Sequence, residues 1–248
     1  MIKEYLSSLE KCYGYTGNWQ PNCPIAVGKW ADVELGILPW LKELLGTGCK
    51  SREINKNLHS IMSGSLEGLR IKQEKRASIT LSHNVSMNIS ESSQTVSISA
   101  QKKGGFFALL QDVQEEIAES ASFKEQLQQL DKTSVAVVAG ITRAKKGILI
   151  VFNKKAASLS LEGGMIQEAL TGKLALSNTE FRISSECQGI AVFQAEPSRP
   201  LIPFVKIYIA EREMQSGFDG RKVHLDDNYE IMPFSYADLF QQQRSAMK

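Results

Sequence analysis

The residues with the most evident potential for chemistry are the histidines and cysteines, which are few and scattered. His224 stands close to Asp226 and Asp227, and these side chains could offer nitrogen and oxygen ligands to a metal ion. Cys23 and Cys187 could serve as nucleophiles, but neither lies in a recognisable catalytic motif. The chain also lacks the GxSxG and HExxH motifs and a glycine-rich phosphate loop. We therefore expect no enzymatic activity, no metal and no other cofactor.

The composition bounds the partners and the cellular location. The 248 residues include 29 Lys and Arg against 27 Asp and Glu, a balance that does not indicate nucleic-acid binding. The N-terminus has no apolar stretch of signal-peptide length, and no run approaches the ~18 apolar residues of a membrane helix. Four scattered cysteines are typical of reduced thiols. These features predict a chain that is made soluble and stays in the cytoplasm.

The stretch Ala77–Ala100 alternates strictly between apolar and small polar residues, which predicts an antiparallel hairpin with one oily and one wet face. The wet face consists mostly of Ser, Thr and Asn. Such a hairpin can be half-buried in an ordinary sheet, or it can cross a bilayer, since Ile79 to Ile89 is about the length of a tilted membrane strand. The apolar face consists of Ile79, Leu81, Val85, Met87 and Ile89 and, after a turn-like segment, Val96 and Ile98.

The remaining periodicities predict helices and further strands. Helices are expected at Ile2–Lys11, Ile37–Leu45, Ser51–Leu66 and Phe106–Ala118 and from a capping box at Ser122. A second hairpin is expected from Ser134–Ile141 and Ile148–Phe152, with Arg143, Lys145 and Lys146 at its tip. Strands should follow at Ala157–Leu161, Lys173–Leu176, Glu180–Ser184, Gly189–Gln194 and Phe204–Ala210. Strands that adjoin one another predict an α+β fold with a twisted, mainly antiparallel sheet and surface helices.

The C-terminal part of the sequence differs in character. Residues 215–223 are rich in glycine and lack periodicity, which indicates an exposed loop, and Arg221-Lys222 offers a site for a trypsin-like protease. We therefore divide the chain into a domain at 1–213 and a tail at 214–248. The tail either holds the domain inactive or simply completes the fold. Its apolar contacts should come from Phe234, Tyr236, Leu239 and Phe240.

The order of these elements resembles the gasdermin pore-forming domain, especially its compact bacterial forms. The shared layout is a long alternating hairpin, a helical insert, a second hairpin headed by SVAVVAGI, strands ending in IAVFQA, and a short tail. The resemblance implies a twisted antiparallel sheet whose two hairpins extend into a membrane, and a C-terminal element that a protease removes. Bacterial members carry a lipid-accepting cysteine next to the initiating Met. The first cysteine here is Cys12, and the resemblance implies that it could accept the lipid instead.

These observations together predict a soluble precursor of an oligomeric membrane β-barrel pore that permeabilises the cell in cell death or defence. Its partners would be membrane lipids, copies of itself and an activating protease, and it would move from the cytoplasm to the inner face of the membrane. The basic residues at the second hairpin tip would meet anionic headgroups, or would form only a solvated turn. The alternative is a non-enzymatic binding, immunity or scaffold module that uses an aromatic N-terminal loop. The aromatic residues of that loop are Tyr13, Tyr15, Trp19 and Trp30.

Overall fold

The computed structural model contains an α+β fold in which two antiparallel sheets carry two short helices. It describes residues 2–18, 20–33, 35, 59–90, 95–130, 132–162, 182–184, 189–196, 198–214, 225–233 and 235. Every strand pair in these ranges is antiparallel. The predicted fold class is therefore confirmed.

The large sheet is organised around one long strand, β8 (Ser134–Phe152). On one side β8 pairs with β7 (Phe106–Ala118) and, near its start, with β2 (Lys29–Asp32). On the other side it pairs with β12 (Leu201–Met214) and, near its end, with β11 (Ile190–Gln194). The outer neighbours are β4 (Ile71–His83) beside β7, β13 (Leu225–Pro233) and β1 (Thr16–Gly17) beside β12, and β3 (Gly64–Ser65) beside β2.

The small sheet packs against one end of the large sheet. Its strand order is β10 (Arg182–Ser184), β9 (Ser158–Glu162), β6 (Thr95–Ala100) and β5 (Val85–Ser90). Because its strands alternate apolar and polar residues, one face can be buried while the other remains wet. The core between the sheets consists of Val96, Ile98, Ala100, Ala157, Leu159 and Leu161 from the small sheet and Phe107, Leu109, Ile148, Ile150 and Phe152 from the large one.

The opposite face of the large sheet is covered by a second core, to which both helices contribute. Helix α1 (Ile2–Tyr13) buries Tyr5, Leu6 and Leu9, which recur at helical spacing. Helix α2 (Ser120–Gln128) adds Phe123 and Leu127. These positions confirm the predicted N-terminal helix and a helix around Ser122. The predicted capping box is wrong, because α2 begins two residues earlier, with Glu119 as its N-cap, and Ser122 lies inside the helix.

Two sequence predictions in the middle of the chain are wrong. Phe106–Ala118 is the strand β7 and not a helix. The prediction failed because the first five residues of β7 are buried between the two cores, so their sequence does not alternate as that of a half-exposed strand does. Ser134–Phe152 is one continuous strand and not a hairpin. Gly147 lies within this strand, where an added Cβ would collide with the carbonyl oxygen of Leu109. It therefore permits a close approach of β7 and does not form a turn.

Other local predictions are confirmed or only partly described. The strands predicted around Ala157–Leu161, Gly189–Gln194 and Phe204–Ala210 are present as β9, β11 and β12. Ser51–Leu66 was predicted to be a helix, but its described part is a 3₁₀ turn at His59–Ile61 followed by β3. Ile37–Leu45 and Lys173–Leu176 lie outside the described residues, as does the part of Glu180–Ser184 before β10.

Candidate functional site

Four adjacent strands of the large sheet carry both of the segments that form the small sheet. β4, β7, β8 and β12 are neighbours in that order. The connection from β4 to β7 (84–105, the first insert) and the connection from β8 to β12 (153–200, the second insert) leave from the same end of the sheet. The first insert supplies β5 and β6, and the second supplies β9, β10 and β11.

The small sheet continues the large one in strand order, and its central pair β6–β9 also continues the register of β7–β8, whereas β5–β6 and β9–β10 are offset from β4–β7 and β8–β11 by four and two residues. Strands β5, β6, β9 and β10 follow the order of β4, β7, β8 and β11. The β7–β8 register begins at Phe106↔Val151, and its extension predicts Ser99↔Ser158 and Thr95↔Glu162, which are the pairs that β6 and β9 form. Backbone hydrogen bonds carry this register across the junction, from Phe152 N to Gly105 O and from Ala100 N to Ala157 O, both at 2.8 Å. The central strands β6–β7 and β8–β9 thus form one ladder that is folded back on itself, and the flanking strands follow the same order.

The fold line is marked by one positive φ angle on each of the four strands. The values are 51° at Asn84 between β4 and β5, 79° at Gly104 between β6 and β7, 63° at Ala156 between β8 and β9, and 105° at Gly189 before β11. Ala156 is the least tolerant of these residues, because a left-handed backbone brings its Cβ too close to the carbonyl oxygen. Gly104 also lies against α1, where an added Cβ would be 2.5 Å from the Cβ of Glu4.

The bend divides the apolar face of the predicted hairpin Ala77–Ala100 between two cores. Ile79 and Leu81 precede Asn84 and pack on the α1 side of the large sheet. Val96 and Ile98 lie in the core between the sheets, with Val85 packed against them. Met87 and Ile89, on the edge strand β5, are 44% and 42% exposed. The hairpin β5–β6 is therefore real, but Ala77–His83 belongs to a different sheet.

The wet face of the small sheet is a grid of hydroxyl and amide groups. The side-chain oxygens of Ser86 and Ser99 are 2.7 Å apart across β5 and β6, and those of Ser97 and Ser160 are 3.1 Å apart across β6 and β9. Asn88 is exposed on the same face, opposite Ser97. This face needs no partner to satisfy its polar groups, since neighbouring hydroxyls and water both serve.

Helix α1 holds the convex side of the bend. Lys103 Nζ is 3.3 Å from a carboxylate oxygen of Glu4, and the Tyr13 hydroxyl donates a 2.6 Å hydrogen bond to the carbonyl of Ser82. The Sγ atom of Cys12 is 3.6 Å from Nδ1 of His83, the last residue of β4. Cys12, the predicted lipidation site, is exposed and therefore accessible beside the bend.

The three basic residues predicted at a hairpin tip lie instead within β8, and that prediction is wrong. Arg143 Nε is 3.5 Å from a carboxylate oxygen of Glu116, and Lys146 Nζ is 3.5 Å from one of Asp112, both on the neighbouring strand β7. Lys145 is exposed. Arg143 and Lys146 therefore have cross-strand partners in the large sheet, and no turn forms here because β8 continues to Phe152.

The predicted tail contributes a strand to the large sheet. β13 pairs with β12 from Tyr208↔Pro233 to Met214↔Leu225, and β12 ends at the predicted boundary. This strand is not among those predicted, although Leu225, Tyr229 and Ile231 occupy alternate positions in it. The predicted cleavage residues Arg221 and Lys222 and the predicted contacts Phe234, Tyr236, Leu239 and Phe240 lie outside the described residues.

The residues considered for binding or catalysis do not assemble into a larger site. Tyr13 and Tyr15 line a cavity of about 200 Å³, with the ring of Tyr15 stacked on Phe204 at 4.4 Å. The ion pair of Arg76 and Glu115, 3.2 Å apart, also borders it. Burial raises the pKa of the Tyr15 hydroxyl, and the charge of Glu115 raises it further. A cavity of this size is below the range of about 300–1,000 Å³ that is usual for ligand pockets.

The remaining candidates are weaker still. Trp30 lies in β2, away from that cavity, and Trp19 lies outside the described residues. Burial raises the pKa of the Cys23 thiol, which opposes its use as a nucleophile. His224 and Cys187 also lie outside the described residues, and within the described ranges no three potential metal ligands come together.

Comparison with known proteins returned no match, either to protein-family models or among curated sequences. Within the part of the chain that the structure describes, neither helix has the length and apolar character needed to cross a membrane.

Proposed function

We propose that this chain is the soluble precursor of an oligomeric membrane β-barrel pore, to which each copy contributes its two inserts as hairpins. The observation that carries the proposal is the folded-back ladder. Strand order and the β6–β9 register already match those of one continuous four-stranded sheet. Straightening at the fold line would lengthen all four strands without exchanging a strand neighbour.

Straightening would also bring the apolar residues on the two sides of the bend onto one face, with charged and polar residues of that face (His83, Lys102 and Lys155) confined to the bend itself. In the sequence Leu81 before the bend and Val85 and Met87 after it have the same parity, with His83 at the position between them. A straight strand would therefore place Ile79, Leu81, Val85, Met87 and Ile89 on one face, next to Val96 and Ile98 of β6. That face would exchange a protein core for lipid, whereas the serine-rich face is in water before and after.

The inter-sheet core explains why a chain in this form stays closed. If the small sheet moved away from the large sheet, five large side chains of β7 and β8 would become exposed to solvent. Burying each of them contributes about 1.5–3 kcal/mol, so opening costs on the order of 10 kcal/mol per chain. Insertion into lipid and pairing between copies must offset this cost. The side chains concerned are Phe107, Leu109, Ile148, Ile150 and Phe152.

The unpaired edges of the straightened sheet explain why many copies must assemble and why assembly needs a trigger. An unpaired strand edge in lipid leaves backbone N–H and C=O groups without partners, so the sheets must close into a ring. The outer edge of β4 carries no other strand among the described residues, but β13 and β1 occupy the outer edge of β12. We place the inhibitory contact of the tail at β13, which blocks the edge that a neighbouring copy would use. Cleavage between β12 and β13 removes the tether that keeps β13 at high effective concentration.

The test is leakage of a dye from liposomes by the full chain, with a specific protease site placed within 215–222. The intact protein should be monomeric and should not release the dye, because β13 stays in place. Cleavage should produce oligomers and leakage together. An uncleavable sequence at the same position serves as the matched control. A cleaved protein that stays monomeric and leaves liposomes intact would overturn the proposal.

A further inference from the structure

We propose that the cavity between α2 and the strands β12 and β13 binds a small aromatic carboxylate. On the basis of the pore function above, the bound molecule would also delay activation, because the same cavity borders β13. The inference rests on the size of the cavity, on the charges at its rim and on the strand that forms one of its walls.

The cavity has a volume of about 410 Å³ and lies between α2 and the face of the large sheet that α2 covers. This volume is within the range of about 300–1,000 Å³ that is usual for ligand pockets, unlike that of the smaller cavity beside Tyr15. Its walls include Phe123 of α2 and Tyr208 of β12, whose rings are 6.1 Å apart and inclined by 57°. An aromatic ligand can pack on such a wall, because tilted and offset arrangements of aromatic rings are the favourable ones.

Two lysines give the cavity a positive rim. Lys124 of α2 and Lys206 of β12 both border it and both are exposed, whereas no carboxylate is among its described lining residues. Neither lysine forms an ion pair within the described part of the chain. Glu74 on β4 feels the charge of Lys206, but its pKa is lowered first by its own hydrogen bond from Lys72, at 2.7 Å. In the described chain both ammonium groups are therefore available to an anionic ligand.

The aromatic wall and the positive rim together select the class of ligand. A carboxylate accepts charge-assisted hydrogen bonds from ammonium groups, and an apolar ring displaces water from the rings of the wall. A simple anion would gain only the first interaction, and a neutral aromatic molecule only the second. Because both lysines are exposed, each should strengthen binding by only about three- to tenfold.

The cavity also borders the strand at which we place the inhibitory contact. Ile231 of β13 is one of its lining residues, and α2 contacts β13. A ligand that touches Ile231 binds the form in which β13 is in place more tightly than the form without it. Such a ligand stabilises the first form by mass action, so that at ten times its dissociation constant the release of β13 becomes up to about tenfold less favourable.

The test of binding uses the uncleaved full chain, with 2-naphthoate as the probe in a ligand-observed NMR titration. Binding should saturate with a dissociation constant of about 1 mM or lower, which is the affinity expected of a ligand of this size. Acetate lacks the ring and 2-naphthalenemethanol lacks the charge, so each should bind at least about threefold more weakly. Lys124→Gln and Lys206→Gln should each weaken the binding of 2-naphthoate, whereas Lys11→Gln on the exposed side of α1 is the matched control and should not.

The test of regulation is dye release from liposomes after cleavage between β12 and β13, with 2-naphthoate at ten times its dissociation constant. The ligand should slow leakage by about three- to tenfold. It should not slow leakage by the double variant Lys124→Gln, Lys206→Gln, which controls for a direct action of naphthoate on the liposomes. The Lys11→Gln control should respond to the ligand as the wild type does.

Two results would overturn the inference while leaving the pore function intact: an uncleaved protein that does not bind 2-naphthoate saturably or binds it independently of both cavity lysines, or leakage that the bound ligand does not slow. A cleaved wild-type protein that releases no dye without the ligand would instead overturn the proposed function, and the regulatory part of the inference with it. The binding site itself is decided by the NMR titration alone.

Discussion

Met87 and Asn88 are adjacent residues of β5 that face opposite sides of the small sheet, and they offer a matched test of membrane insertion. Met87 is 44% exposed in the folded chain, and Asn88 is exposed as well. An arginine at either position can therefore reach water, and we expect each variant to lose about 1 kcal/mol of stability or less. For a chain of this size the midpoint of thermal unfolding should fall by no more than about 2–4 °C.

The two variants should differ only when the hairpin enters a bilayer. Met87 belongs to the face that would contact lipid, where an arginine near the midplane of a membrane strand costs about 2–4 kcal/mol. This corresponds to a roughly thirty- to nine-hundred-fold loss per chain, and the loss recurs in every copy of a ring. Asn88 belongs to the wet face, where an arginine would remain in water. Met87→Arg should therefore abolish leakage, and Asn88→Arg should retain it.

The assay is dye release from liposomes after cleavage between β12 and β13, with both variants first shown to unfold at temperatures close to that of the wild type. Cosedimentation with the liposomes separates failure to insert from failure to bind. Full leakage by a well-folded Met87→Arg protein would refute the assignment of this face to lipid. Equal loss in both variants would show that the strand does not present two different faces to the membrane.

Two further predictions concern the bend and the tail. Ala156→Gly removes the strain of a φ of 63° from the folded-back form and also disfavours the straight strand, so it should stabilise the folded-back form by about 1–2 kcal/mol in total. Leakage after cleavage should therefore become about five- to thirtyfold slower. An unchanged half-time in stopped-flow leakage would mean that the bend does not open. Glu230→Arg puts opposite charges in place of like charges at the register pair Glu211↔Glu230 of β12 and β13, and should strengthen that pairing by about 0.2–1 kcal/mol. The uncleaved variant should then exchange the backbone amide hydrogens of β13 more slowly, and faster exchange would contradict an attractive pairing.

The sequence by itself determined which strands have one apolar and one polar face. Alternation at Val85–Ala100 and at Ala157–Leu161 was sufficient to predict β5, β6 and β9, because a strand exposed on one side must repeat every two residues. The spacing of Tyr5, Leu6 and Leu9 likewise predicted α1, which buries a single stripe. The absence of charge from Ala77 to Ser90 was also evident from the sequence.

The tertiary structure decided which strands have two buried faces and where the ladder bends. Phe106–Leu110 is buried on both sides, so its apolar run fitted a helix as well as a strand. The charges of Arg143 and Lys146 suggested a turn, but partners on β7 allow both residues to lie within a continuous strand. The bend at Asn84 and Ala156 leaves no periodic signal, because a single left-handed residue changes the direction of the chain without changing the pattern of side chains. Only the packing of the small sheet on the large one selects that conformation.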